Sequence, residues 1–155
     1  MAQSAETPAP TWHQLAQLSD QLRAQWERGN DRTRWAACGH AWDAVAIAPI
    51  SRGLDVLAAL RISPRSGYPV LADYVRGELY VMVPPGTGAA AAGLPRVRVL
   101  SRGHQLLLPD TEYGTATAHW VSPPCDDPPA LVCPDRLAHH LRALPRAQPT
   151  KADPS

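Results

Sequence analysis

Phenylalanine is absent from this chain, lysine occurs once (Lys151), and cysteine occurs three times in 155 residues. The cysteines, Cys38, Cys125 and Cys133, are too few for a disulfide framework. The first residues carry neither a basic stretch nor an apolar one, so no secretory leader is expected. Also missing is any apolar run near the roughly 18 residues that crossing a bilayer takes, and the longest alanine-rich piece, 89–92, lies among Gly and Pro. These absences lead to the expectation of a cytoplasmic chain with no membrane partner.

A surplus of charge is lacking too. Lys and Arg number 15 against 14 Asp and Glu, a net charge of +1, which excludes the global field of a nucleic-acid-coating protein or an acidic solvating tail. Any charged partner has to be met by a local patch. The abundance of Arg, Ala and Pro is what GC-rich coding produces, so arginine usage by itself does not signal phosphate.

What is present reads as one α+β domain over 11–144 between unstructured tails at 1–10 and 145–155. A capping box of Thr11 and Gln14 opens a helix whose Trp12, Leu15, Leu18, Leu22 and Trp26 recur at helical spacing, up to a stop at Gly29-Asn30-Asp31. The apolar run 42–50 suits a strand buried on both faces. Ser51 then caps a helix through Leu54, Leu57 and Arg61. A hairpin is expected from 68–72 and 78–83, turning at Arg76-Gly77, followed by a loop over 84–95. Strict alternation over 96–100 puts Arg96 and Arg98 on one strand face and Val97 and Val99 on the other. Residues 105–108 are expected to pair with it across the Ser101-Arg102-Gly103-His104 turn. A short strand at 118–121 and a last helix over 134–144, with Pro134 in its first turn and Leu137, Leu141 and Leu144 inward, complete a mixed, mostly antiparallel sheet flanked by helices.

Candidate chemistry is sparse. Cys38 with His40, Cys125 with Cys133, and His139-His140 have no structural-zinc spacing, and neighbouring helical histidines point about 100° apart, so no metal site is expected. Ser101 near His104 lacks a nucleophile elbow, and a Cys38–His40 thiolate pair needs a sharp turn between the two. Pro85-Gly86-Thr87-Gly88 has glycines but no Gly-Lys-Ser/Thr ending for phosphate and magnesium, and reads as a flexible loop. One feature carries physical content: Arg96 and Arg98 on a strand face with Arg102 and His104 in the adjoining turn, four donors able to converge on a phosphate or carboxylate. The five tryptophans, at 12, 26, 35, 42 and 120, are of a type able to stack bases, but Trp12, Trp26, Trp42 and Trp120 read as core-facing.

From Gly39 to Pro124 the order of motifs resembles the primase-polymerase domain of the archaeo-eukaryotic primase superfamily, especially small actinobacterial proteins related to the N-terminal part of bifunctional DNA primase/polymerases. The carriers are the strand Trp42-Asp43-Ala44-Val45-Ala46-Ile47-Ala48-Pro49, the helix Gly53-Leu54-Asp55-Val56-Leu57-Ala58-Ala59-Leu60 and the hairpin segment Arg76-Gly77-Glu78-Leu79-Tyr80-Val81-Met82-Val83-Pro84. They continue in Val97-Arg98-Val99-Leu100-Ser101-Arg102-Gly103, Leu107-Leu108-Pro109 and His119-Trp120-Val121-Ser122-Pro123-Pro124. The resemblance implies an RRM-like, prim-pol-like core. In that family an Asp-x-Asp pair, a hairpin histidine and a third acid serve two-metal phosphoryl transfer. Their positions fall here on Ile47 to Pro49, on Glu78, and on Val97 or Arg98.

The resemblance therefore implies a degenerate member with no catalytic residues and no cofactor. Arg98, standing where an acid would be, repels a metal and takes the place of the cation against phosphate. The leading expectation is a non-catalytic domain that binds single-stranded nucleic acid or a nucleotide through Arg96, Arg98, Arg102 and His104. A protein-interaction or scaffold domain is the first alternative. The second is an active primase/polymerase using magnesium or manganese on relocated carboxylates at Asp43, Asp55 and Asp73.

Overall fold

Continuous apolar sequence builds the centre. The computed structural model describes residues 11–28, 32–111, 114–125 and 129–144; the expected tails and the Gly29-Asn30-Asp31 stop lie outside these. Strand β2 (Asp43–Ile47) has every residue buried, and β4 (Glu78–Val83) is buried along all but its first residue. With β3 (Val70–Asp73), β5 (Val97–Leu100) and β7 (His119–Ser122) they form a five-stranded sheet in the order β5-β2-β4-β3-β7. Every pairing in it is antiparallel. The chain passes from β2 through helix α3 (Ile50–Ala59) to β3, and β4 inserts between the two strands, a split βαβ arrangement.

One face of this sheet is closed by helices. Val45, Ile47, Val70, Leu79, Val81 and Val83, all 0% exposed, pack with Leu54 and Leu57 of α3, Leu137 and Leu141 of α4 (Pro134–Ala143), and Trp12. Such branched aliphatic contacts supply most of the fold's stability, at roughly 25 cal/mol per Å² of apolar surface buried. Gly53 of α3 is required by this packing, because a Cβ there would lie 2.6 Å from Leu79 Cδ2.

The other face meets a two-stranded antiparallel ribbon, β1 (Thr33–Ala37) with β6 (Gln105–Pro109). Ala44, Ala46, Leu71, Tyr80, Met82 and Leu100 of the sheet pack there with Cys38, Leu106 and Leu108, and half-buried Trp42 and Trp120 flank them. The small side chains of Ala44 and Ala46 let the ribbon approach closely.

Three expectations are corrected, and one strand is added. The first helix is two: α1 (Trp12–Leu15) keeps the Thr11–Gln14 capping box, and α2 (Asp20–Arg28) starts anew where Ser19 Oγ accepts the Leu22 amide at 3.1 Å. The break is fixed from outside, since Trp12 Nε1 donates to the Ile62 carbonyl at 3.1 Å and the Tyr74 hydroxyl to the Ala16 carbonyl at 2.7 Å. Helix α3 begins at Ile50 with Pro49 as its N-cap, not Ser51, because the proline already has an extended backbone and a fixed φ of −74°. Strand β1 was not expected. And β5 does not pair with β6: its partner is β2, while β6 takes β1. Among the described residues no helix is long and apolar enough to cross a membrane.

Candidate functional site

The sheet face beneath the ribbon changes character along its strands. Under the ribbon it is apolar as far as the Tyr80 ring; past the ribbon's edge, at the starts of β4 and β5, it carries Glu78 and Arg98. Here Arg98 Nε donates to Glu78 Oε2 at 2.9 Å and Nη2 to Oε1 at 2.7 Å, a bidentate pair. The Tyr80 hydroxyl adds a hydrogen bond to Oε1 at 3.0 Å. The hydrogen bonds from Arg98 hold the Glu78 carboxyl below the ordinary carboxylate range, so this acid stays charged. Burial above all, then the charge of Glu78, pushes the Tyr80 phenol up to about 12.

A cleft of about 470 Å³ opens beside this pair, lined among others by Arg76, Tyr80, Arg98, His104 and Trp35. Trp35 stands 64% exposed on β1, an unusual position for so large an apolar ring. Arg76 lies 3.9 Å from the shared Glu78 oxygen. Its amide and that of Val75 are held by Asp73 Oδ1 at 2.9 and 3.0 Å, which fixes the β3–β4 turn. The cleft thus sets an aromatic face beside two guanidinium groups, with the Glu78 carboxylate already engaged by both and Asp73, which holds the turn amides, also on its wall.

The expected basic stripe is divided by the structure. Arg98 and His104 share this cleft. Arg96 precedes β5 in a left-handed backbone conformation (φ 58°) and uses its carbonyl to accept the Ala48 amide at 3.1 Å, so it shares no strand face with Arg98. Arg102 opens into a second cleft of about 620 Å³, with Asp43 and the 85–92 segment. The turn 101–104 separates the two.

The positions matched to the prim-pol motifs do not converge either. Glu78 and Arg98 meet, but Ile47 points into the helix-side core and is 0% exposed, while Pro49 caps α3. The three carboxylates of the enzyme alternative are dispersed. Asp43 begins β2, Asp55 faces His13 at 3.0 Å, and Asp73 holds its turn. Among the described residues no three His, Cys, Asp or Glu side chains are grouped to hold a metal ion.

The nucleophile candidates have other tasks. The Cys38 thiol is pushed up to about 11, first by burial and then by Asp43, and is protonated at neutral pH. His104 Nδ1 accepts the Ser101 backbone amide at 3.2 Å, so its ring serves the turn. Sequence reasoning left Trp35 as the tryptophan without a core role but did not name it as a site residue, and it did not pick out Arg76. The signal available for Trp35 was a lone large aromatic in a stretch without other apolar bulk, which no core claims.

Against family models, curated proteins and solved structures, the chain finds no match.

Proposed function

We propose that this chain is a non-catalytic, prim-pol-like binding domain whose ligand is a nucleotide or single-stranded nucleic acid, held in the cleft between the ribbon and the sheet. The observation that carries the reading is the placement of the exposed Trp35 ring in one cleft with Arg76, Arg98 and His104. Every base offers a π face to an aromatic side chain, and stacking contributes about 1–3 kcal/mol per base without demanding a sequence. Guanidinium forks supply the phosphate contacts. Glu78 restrains this cationic site: it engages Arg98 in the free protein, and a phosphate has to compete for that fork. Weak, salt-sensitive binding follows from such competition.

A titration of the purified chain with labelled single-stranded DNA and with nucleoside triphosphates, at low and moderate salt and with and without manganese, tests the reading. Binding that weakens with salt, ignores manganese and falls about tenfold in Trp35→Ala is the expected result. Binding unchanged in Trp35→Ala, or none by the parent, refutes it. The scaffold reading has its own observation, since Val75 at the β3–β4 turn is 72% exposed and joins Trp35 as a large exposed apolar side chain among the described residues. Concentration-dependent self-association or a stable protein complex with no nucleic acid present is its signature.

A further inference from the structure

The second cleft has a chemistry of its own. Asp43 is 1% exposed, and its Oδ2 accepts the Gly88 amide at 3.0 Å. Its Oδ1 is equally buried and finds no hydrogen-bond partner among the described residues. No basic side chain among those residues forms an ion pair with it. Anchoring the 85–92 segment uses one carboxylate oxygen, so that structural task leaves the other unexplained. A buried carboxylate oxygen without a donor is unfavourable, and a ligand N–H or ammonium removes that penalty.

The same cleft carries the opposite charge at its mouth. Arg102 is exposed, and its guanidinium has no partner among the described residues. Both walls are built to fixed positions. A Cβ on Gly88 would lie 2.6 Å from Val99 Cγ1 and 3.0 Å from Asp43 Oδ2, so only glycine brings this amide onto the carboxylate. Gly39, at φ +90°, lies so close to the Arg102 backbone that a Cβ would come within 2.5 Å of its nitrogen. The cavity of about 620 Å³ between these walls has the size of a small-molecule site.

We propose that this cleft binds a small amphoteric molecule, with an amine directed at Asp43 and a carboxylate or phosphate at Arg102. The Asp43 carboxylate reaches the amine by turning about its Cβ–Cγ bond, a soft torsion for this residue type. The site is independent of the Trp35 cleft on the other side of the 101–104 turn, so either stands if the other fails.

Amide chemical shifts of the ¹⁵N-labelled full chain test it, with leucine, tryptophan and phosphoethanolamine as amphoteric probes and ethylamine, acetate and inorganic phosphate as half-probes. The expected result is saturable movement of Gly86, Gly88 and Ser101 with at least one amphoteric probe, about tenfold weaker with every half-probe. Asp43→Asn keeps an acceptor for Gly88 and loses the binding at least tenfold; Arg102→Gln, at an exposed position that leaves folding intact, weakens it by a similar factor. The proposal falls if no amphoteric probe moves these amides, if a half-probe binds as tightly, or if Arg102→Gln or a folded Asp43→Asn binds like the parent.

Discussion

The two faces of the five-stranded sheet are made of different materials. The helix side is mainly branched aliphatic, with Val45, Ile47, Val70, Val81 and Val83 at 0% exposure, and carries the buried polar groups Asp43 and His119 toward its margins. The ribbon side pairs alanines and methionine with Tyr80, and ends in Glu78 and Arg98. The first face is closed over its centre, where α3, α4 and Trp12 cover it and serve stability, and it opens at the Asp43 end into the second cleft. The second is closed where the ribbon lies and ends in a polar margin.

Charge placed on each face is the strongest way to break this comparison. Ile47→Asp puts an unpaired carboxylate into the helix-side core, and a loss of at least about 4 kcal/mol, enough to prevent folding, is expected in urea unfolding followed by tryptophan fluorescence. The variant also places an acid at a position that the prim-pol resemblance matches to the acidic pair, so its failure shows that this position serves the core.

The next effect comes from the edge of the same sheet. His119 is 3% exposed, and burial pushes its pKa down to about 4. The Tyr74 hydroxyl donates to the Ala16 carbonyl, so the 3.2 Å contact is a donation from His119 Nδ1 to that hydroxyl. The unfolded chain titrates near 6.5. The stability of the neutral imidazole is therefore whole above pH 6.5, is lost progressively as pH falls toward 4, and amounts to about 3 kcal/mol across that window. Unfolding free energies across pH 4–7 should show this slope in the parent and a flatter one in His119→Gln.

Smaller changes follow. Gly53→Ala drives a methyl against Leu79 and should lower stability by about 1–3 kcal/mol, read from the thermal midpoint. Arg98→Gln, on the open margin, removes an ion pair whose arginine side chain is 49% exposed, and its stability change should stay below about 1 kcal/mol.

The helix-side face was legible in the sequence because burial on both sides leaves a continuous apolar run at β2, and because Pro134 and the leucine spacing mark α4. The ribbon was not. Strand β1 has two alanines and an arginine where alternation should show, and its register comes from distant β6. The turn 101–104 suggested a hairpin, but Val97 and Val99 gain more by covering the helix-side core beside β2 than by pairing locally. The break between α1 and α2 has a local signal in Ser19, a capping residue that the unbroken leucine period hides. In the site, Glu78 and Arg98 were both named from sequence, and their pairing appears only once β2 stands between β4 and β5. Asp43, which the sequence offers only as a relocated carboxylate beside Asp55 and Asp73, stands apart from both and floors a cleft.

Glu78 tests the account most directly. It neutralises Arg98, so Glu78→Gln frees a cation at the margin while leaving the aromatic and the fold in place. Oligonucleotide affinity measured against salt should rise several-fold in Glu78→Gln at low salt, with a steeper salt slope, and fall in Arg98→Gln. Equal affinities for parent, Glu78→Gln and Arg98→Gln at every salt concentration would contradict the assignment of this margin as the binding surface.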